Sequence, residues 1–138
     1  MPLDRERLSK RDDDIEQNKL SSSEYKYAFD FANADVILIG APFWDLNFPS
    51  LLKIYIENIC VKGITFAYDG KKPVAVCKAK KLIYITTSGG YISNDGSLKT
   101  YLDELCCLFC IPTLEFYKAE GLSSSGVMEG AVLDMATP

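Results

Sequence analysis

Residues 34–49, Ala-Asp-Val-Ile-Leu-Ile-Gly-Ala-Pro-Phe-Trp-Asp-Leu-Asn-Phe-Pro, constrain this chain more than any other stretch. The segment begins as an unbroken apolar run of β-forming residues, the pattern of a strand that water wets on neither face. Val36 to Ile39 is therefore expected to be a central strand. Pro42 cannot donate a ladder hydrogen bond, and Pro49 pre-sets φ for the first turn of a helix. Phe43 to Phe48 is thereby confined to a short exposed connection at the strand's carboxyl end, where open α/β sheets place their ligands. An aromatic pair held there invites a flat ligand.

The remaining elements follow from periodicity. Residues 1–20 are charged and polar, with Arg5-Glu6-Arg7 and Asp12-Asp13-Asp14, and read as a solvated, poorly ordered leader ahead of a domain over residues 21–138. Ser21 and Glu24 have capping-box spacing before a helix over Ser22 to Ala34. Leu51, Leu52, Tyr55, Ile56 and Ile59 form one apolar face of a helix opened by Pro49 and ended near Gly63. Ile64 to Lys80 reads as a hairpin-like excursion turning at Tyr68 to Pro73. Lys81 to Thr87 is a second buried strand, Ser97 to Cys110 a helix stopped by Pro112, and Thr113 to Ala119 a third strand nearer an edge. A last short helix is expected from Ser123–Ser125 through Met135. Strands alternating with helices predict a parallel α/β sheet with helices on both faces.

Bulk properties exclude several function classes. The net charge is −4 with scattered Lys and Arg, so no basic footprint for nucleic acid appears. No apolar run approaches a membrane span and no signal-type amino terminus is present, so the chain reads as soluble and cytoplasmic. Five cysteines without secretory features imply reduced thiols. The absence of histidine removes Ser-His and Cys-His catalysis and mixed Cys/His zinc sites. Cys106 and Cys110 lie one helical turn apart beside Cys107, and with Cys60 or Cys77 they offer a thiol redox or soft-metal hypothesis. The simpler reading is thiols filling core gaps, and no metal site is assigned.

Three motifs together, Ala41 to Ile59, Gly63-Ile64-Thr65-Phe66 and Thr86-Thr87-Ser88-Gly89-Gly90, resemble the FMN-dependent NADH azoreductase and NAD(P)H quinone reductase family, of flavodoxin-like fold. The resemblance extends from about Leu3 to about Met128. It implies FMN and NAD(P)H as cofactors, a small aromatic or quinone acceptor, and a homodimer with Phe66 and Tyr68 near the subunit contact. The two loops at the carboxyl ends of neighbouring strands would hold the flavin: Pro42, Phe43, Trp44, Asp45, Leu46 and Asn47 along the ring, and Thr87, Ser88, Gly89 and Gly90 at its pyrimidine edge. Tyr91 would donate a proton or hydrogen bond to the acceptor. The alternative is that these are tight turns with their aromatics folded into the core.

The resemblance also implies elements that the chain does not show: a first strand, a Ser-rich phosphate loop, a first helix and a second strand. With only strands three, four and five of a 2-1-3-4-5 sheet, Val36 to Ile39 would lie at an open edge, an association hazard. A chain lacking its amino-terminal part is the expected explanation. A second functional reading follows, a non-catalytic family remnant that keeps a dimerisation surface. Asp45 stands where the family more usually has an amide, and a carboxylate there would disfavour an anionic reduced flavin.

Overall fold

The computed structural model describes residues 1–123 and the backbone of Val132–Ala136. Parallel pairing follows from the connections: β1 (Ile37–Pro42), β4 (Lys81–Thr87) and β5 (Thr113–Glu120) are each separated by a helix or a longer excursion, so each returns in the same direction. The registers run from Ile37↔Leu82 to Pro42↔Thr87 and from Lys81↔Thr113 to Thr87↔Ala119. A fourth strand, β6 (Val132–Ala136), pairs antiparallel with β5, giving the order β1-β4-β5-β6.

This corrects the expected last helix, which was to run through Met135; residues 124–131 of it lie outside the described residues. Val132-Leu133-Asp134-Met135 mixes a β-branched residue with polar–apolar alternation, a pattern that a strand accommodates. The outer edge of β5 offers it a ladder of backbone partners, which a helix would forgo. The excursion is the hairpin β2 (Ala67–Asp69) and β3 (Lys72–Val74), turning at Gly70 with φ +60.

Among the described residues four helices accompany the sheet. α3 (Ser50–Ile59) starts immediately after Pro49, and α4 (Gly96–Phe109) ends where Cys110 turns left-handed at φ 53. There the Ile111 amide returns to the Cys106 carbonyl at 2.9 Å, closing the last turn. α2 (Lys26–Asn33) is shorter than its sequence pattern because the capping box does not form. Glu24 instead pairs with Lys10 at 2.7 Å, and the Ser21 and Ser23 hydroxyls contact each other.

The leader expectation is corrected as well, since Arg5–Glu16 forms helix α1. The Asp4 carboxylate accepts from the Arg7 amide at 2.8 Å, satisfying an otherwise orphaned helix donor. The buried Arg11 guanidinium donates to the Glu57 and Cys60 carbonyls at the end of α3, at 3.0 and 3.2 Å. Its partners stand 46 and 49 residues away, so no local pattern announces the docking.

Alternation along the strands sends Ile37, Leu82, Tyr84, Thr86, Leu114 and Phe116 to one face. There they share a core with Phe31, Ile56, Leu98, Leu102 and Phe109 from α2, α3 and α4. The opposite face keeps Leu38 at 65% and Ile85 at 38% exposure. The expectation of helices on both faces is thus met on one face only among the described residues. β1 is also not central: among the described residues it pairs with β4 alone, and its other edge opens onto a groove of about 510 Å³ bordered by Tyr27, Leu51 and Tyr55. Among the described residues no helix is long and apolar enough to cross a membrane.

Candidate functional site

The register that ends Pro42 opposite Thr87 brings the two sequence-predicted loops side by side. The Phe43 amide donates to the Thr87 carbonyl at 2.7 Å, so the two loops leave the sheet from one point. Beyond it Trp44 and Asn47 exchange both backbone hydrogen bonds, at 2.8 and 2.9 Å, around Asp45 and Leu46 at φ 50 and 68. Two successive left-handed residues define a type I′ turn, a conformation that usually selects Asn and Gly. Holding Leu46 there costs about 1–2 kcal/mol, and its side chain stands 79% exposed at the tip. The Asn47 side-chain oxygen accepts from the Phe48 amide at 2.8 Å, which anchors the exit from the turn.

The aromatic pair separates. Phe43 is half-buried against the core, while Trp44 is 61% exposed. Beside the turn a groove of about 650 Å³ is lined by Trp44, Asn47, Phe48, Lys53 and Tyr101. Phe48 packs on Tyr101 with ring centroids 5.5 Å apart, and desolvation raises the Tyr101 phenol above its ordinary pKa.

The second loop shows a more specific arrangement. The carbonyls of Ser88, Gly89 and Gly90 accept from the amides of Leu122, Ser123 and Gly121 at 3.2, 2.9 and 2.9 Å, all in the segment that follows β5. Among the described residues no peptide bond is cis. In a trans peptide the N–H points opposite to the preceding C=O, so the amides of Gly89, Gly90 and Tyr91 all face away from residues 121–123. None of these amides has an acceptor among the described residues. Three successive donors turned together suit acceptor atoms, such as those on the edge of a polar ring.

Close packing enforces the arrangement. A Cβ on Gly89 would lie 2.6 Å from the Ser123 hydroxyl. Gly121, at φ +70, would place a Cβ 2.9 Å from the Tyr91 ring. The Tyr91 side chain therefore lies over Gly121 and remains 67% exposed. Sequence reasoning missed this bracing segment, and with it Glu120, whose carboxylate accepts from the Ile92 amide at 2.7 Å. The available signal was a charged residue and a glycine, Glu120-Gly121, closing the third strand at the same end of the sheet as the two chosen loops. Beside them Lys118 lies 3.5 Å from Asp95 and 3.9 Å from Glu120, and Asp95 lies 3.6 Å from Lys99.

The cysteine hypothesis gains no support. Cys106 is buried while Cys107 is exposed, and burial pushes the Cys106 and Cys77 thiols up to about 11, away from the thiolate. Among the described residues no group of acidic and thiol side chains is placed to hold a metal ion.

Comparison with known proteins then adds an independent line. Residues 2–132 match the sequence family described as having a flavodoxin-like fold. An FMN-dependent NADH:quinone oxidoreductase 2 of Clostridium acetobutylicum is 49% identical over 76 residues, 55% of this chain and 38% of that protein. An FMN-dependent NADH:quinone oxidoreductase of Clostridium perfringens is 36% identical over 118 residues, 81% of this chain and 58% of that protein. The chain thus spans well under two thirds of the length of these relatives. In fold it is similar to a crystal structure of an FMN-dependent NADH-azoreductase from Bacillus anthracis in complex with FMN: TM-score 0.71 at 22% identity, covering 94% of this chain and 68% of that one.

Proposed function

From the premise that this chain belongs to the family of flavodoxin-like fold matched by residues 2–132, we propose that it is the ring-binding part of an FMN-dependent NAD(P)H oxidoreductase of the quinone reductase and azoreductase type, acting on a small aromatic or quinone acceptor. The observation that carries the reading is the set of amides of Gly89, Gly90 and Tyr91, turned together away from residues 121–123 and without acceptors among the described residues, in a loop that leaves the sheet at the same point as the aromatic turn. Relatives named as FMN-dependent NADH:quinone oxidoreductases support it.

In this reading Pro42, Phe43, Trp44, Asp45, Leu46 and Asn47 flank the isoalloxazine ring, and the hydroxyls of Thr87 and Ser88 with the amides of Gly89 and Gly90 present donors to its pyrimidine edge, the Ser88 amide itself being held by the Ala119 carbonyl at 2.9 Å. When bound, FMN supplies the hydride chemistry, which needs no protein nucleophile and so tolerates a chain without histidine. The residues themselves do three things. Trp44 offers a face to stack against, the glycine loop fixes orientation, and Tyr91, exposed to solvent over Gly121, is assigned the donation of a proton or hydrogen bond to an acceptor. The fit concerns the ring. The resemblance places the phosphate cradle in a Ser-rich loop that the sequence does not contain.

A second reading is a non-catalytic remnant that keeps the dimerisation surface near Phe66 and Tyr68 and associates as a homodimer without flavin; the edge of β1 that pairs with no strand among the described residues favours association. One titration separates the two. FMN added to the purified chain is expected to show saturable fluorescence quenching and perturbed visible bands, weakened about tenfold in Trp44→Ala through loss of a stacking contact. A folded protein that shows no binding up to high micromolar FMN refutes the proposal, and a stable dimer under those conditions establishes the second reading.

A further inference from the structure

We propose that Glu120 is a positioning residue for the flavin edge, acting through the peptide between Tyr91 and Ile92; the proposal rests on the FMN reading above. The peptides that follow Ser88, Gly89 and Gly90 all present their carbonyls to residues 121–123. The next peptide is reversed: the Ile92 N–H points back to the Glu120 carboxylate at 2.7 Å, so the Tyr91 carbonyl points the other way. This reversal ends the row of outward amides at Tyr91. It requires an acceptor on the β5 side, and Glu120 supplies it.

Ile92 is buried, so its amide has little access to water if the carboxylate is removed. The same peptide sets the direction of the Tyr91 side chain, whose ring is already held over Gly121. Without the Glu120 acceptor the Tyr91–Ile92 peptide is free to reverse. The reversal would turn a carbonyl toward the β5 segment, where Gly121 already donates to Gly90, and would re-aim Tyr91. The Lys118 ammonium, 3.9 Å from the other Glu120 oxygen and 3.5 Å from Asp95, balances the carboxylate's charge at the end of β5. Glu120 touches no ligand in this scheme; it fixes the Tyr91–Ile92 peptide, which ends the row of Gly89, Gly90 and Tyr91 amides and aims Tyr91.

The test compares Glu120→Ala with Glu120→Gln, whose side-chain carbonyl can still accept from Ile92. FMN titration of each full-length variant is read beside amide hydrogen exchange of Gly89 to Ile92 in the flavin-free protein. Glu120→Ala is expected to bind FMN roughly tenfold more weakly, with altered flavin visible bands and faster exchange at Ile92. Glu120→Gln is expected to restore both the affinity and the bands, which a merely destabilising substitution would not do selectively. If Glu120→Ala does not fold, Glu120→Asp withdraws the carboxylate by one methylene while keeping its charge, and is expected to show the same losses. Wild-type affinity and bands in Glu120→Ala or Glu120→Asp, with FMN bound by the wild type, overturn this proposal alone. Absence of FMN binding by the wild type overturns the functional reading and this proposal together.

Discussion

Replacing Tyr84 by Phe should make this protein more stable. Tyr84 lies in the middle of β4, fully buried, with its ring stacked on Phe116 at 5.6 Å between centroids and 10° between planes. Its hydroxyl has no hydrogen-bond partner among the described residues. Folding therefore strips water from a polar group and returns nothing, at a cost of about 1–3 kcal/mol. Phenylalanine keeps the ring and its stacking and removes only that oxygen. The expected gain at pH 7 is about 1–2 kcal/mol after allowance for the small void left behind, or roughly 3–6 °C in Tm.

The same burial makes a second, pH-dependent signature. Desolvation pushes the Tyr84 phenol up to about 12 from an ordinary 10.0. The folded state then holds its proton more tightly than the unfolded state. The associated stability is complete below pH 10 and declines as pH rises toward 12, by up to roughly 3 kcal/mol. Urea unfolding at pH 7 and across pH 9–11 in both proteins measures both effects. The advantage of Tyr84→Phe should widen through the alkaline range. A variant less stable than wild type by more than about 1 kcal/mol at pH 7, or alkaline profiles that run parallel, would refute the reasoning.

Arg11→Ala removes the guanidinium that holds the Glu57 and Cys60 carbonyls; it should cost about 2–3 kcal/mol in urea unfolding and release α1, seen as fast amide exchange confined to residues 5–16. Gly121→Ala meets both a left-handed φ and the Tyr91 ring at 2.9 Å; a loss of about 1–3 kcal/mol is expected, with a changed Tyr91 fluorescence environment, and an unchanged Tm would count against the packing described. At pH 8 a thiol reagent should label the exposed Cys107 rapidly and leave Cys77 and Cys106 protected until denaturant is added, because burial holds both near 11. Equal rates at all three would contradict that burial.

What the sequence determined by itself was the local grammar. The apolar run before Gly40-Ala41-Pro42, Pro49 ahead of an amphipathic repeat, the Tyr68 to Pro73 turn, and Pro112 after the last helical residues each placed an element within a few positions, because β-branching, proline and helical periodicity act on neighbours. The two candidate loops were legible for the same reason, since each is the punctuation that closes an apolar strand.

Tertiary structure decided whatever depends on a distant partner. Arg11 turned a charged leader into a docked helix through carbonyls 46 and 49 residues away, and Glu24 left its capping role for Lys10. β1 reads as buried on both faces in isolation, yet in the sheet Leu38 is open to solvent. Most consequentially, nothing near Gly89-Gly90 in sequence shows which way its amides point. That direction is set by Gly121, Leu122 and Ser123, about thirty residues on, and the row is ended by Glu120 at Ile92, because a peptide plane is oriented by whatever its carbonyl and N–H can reach in space.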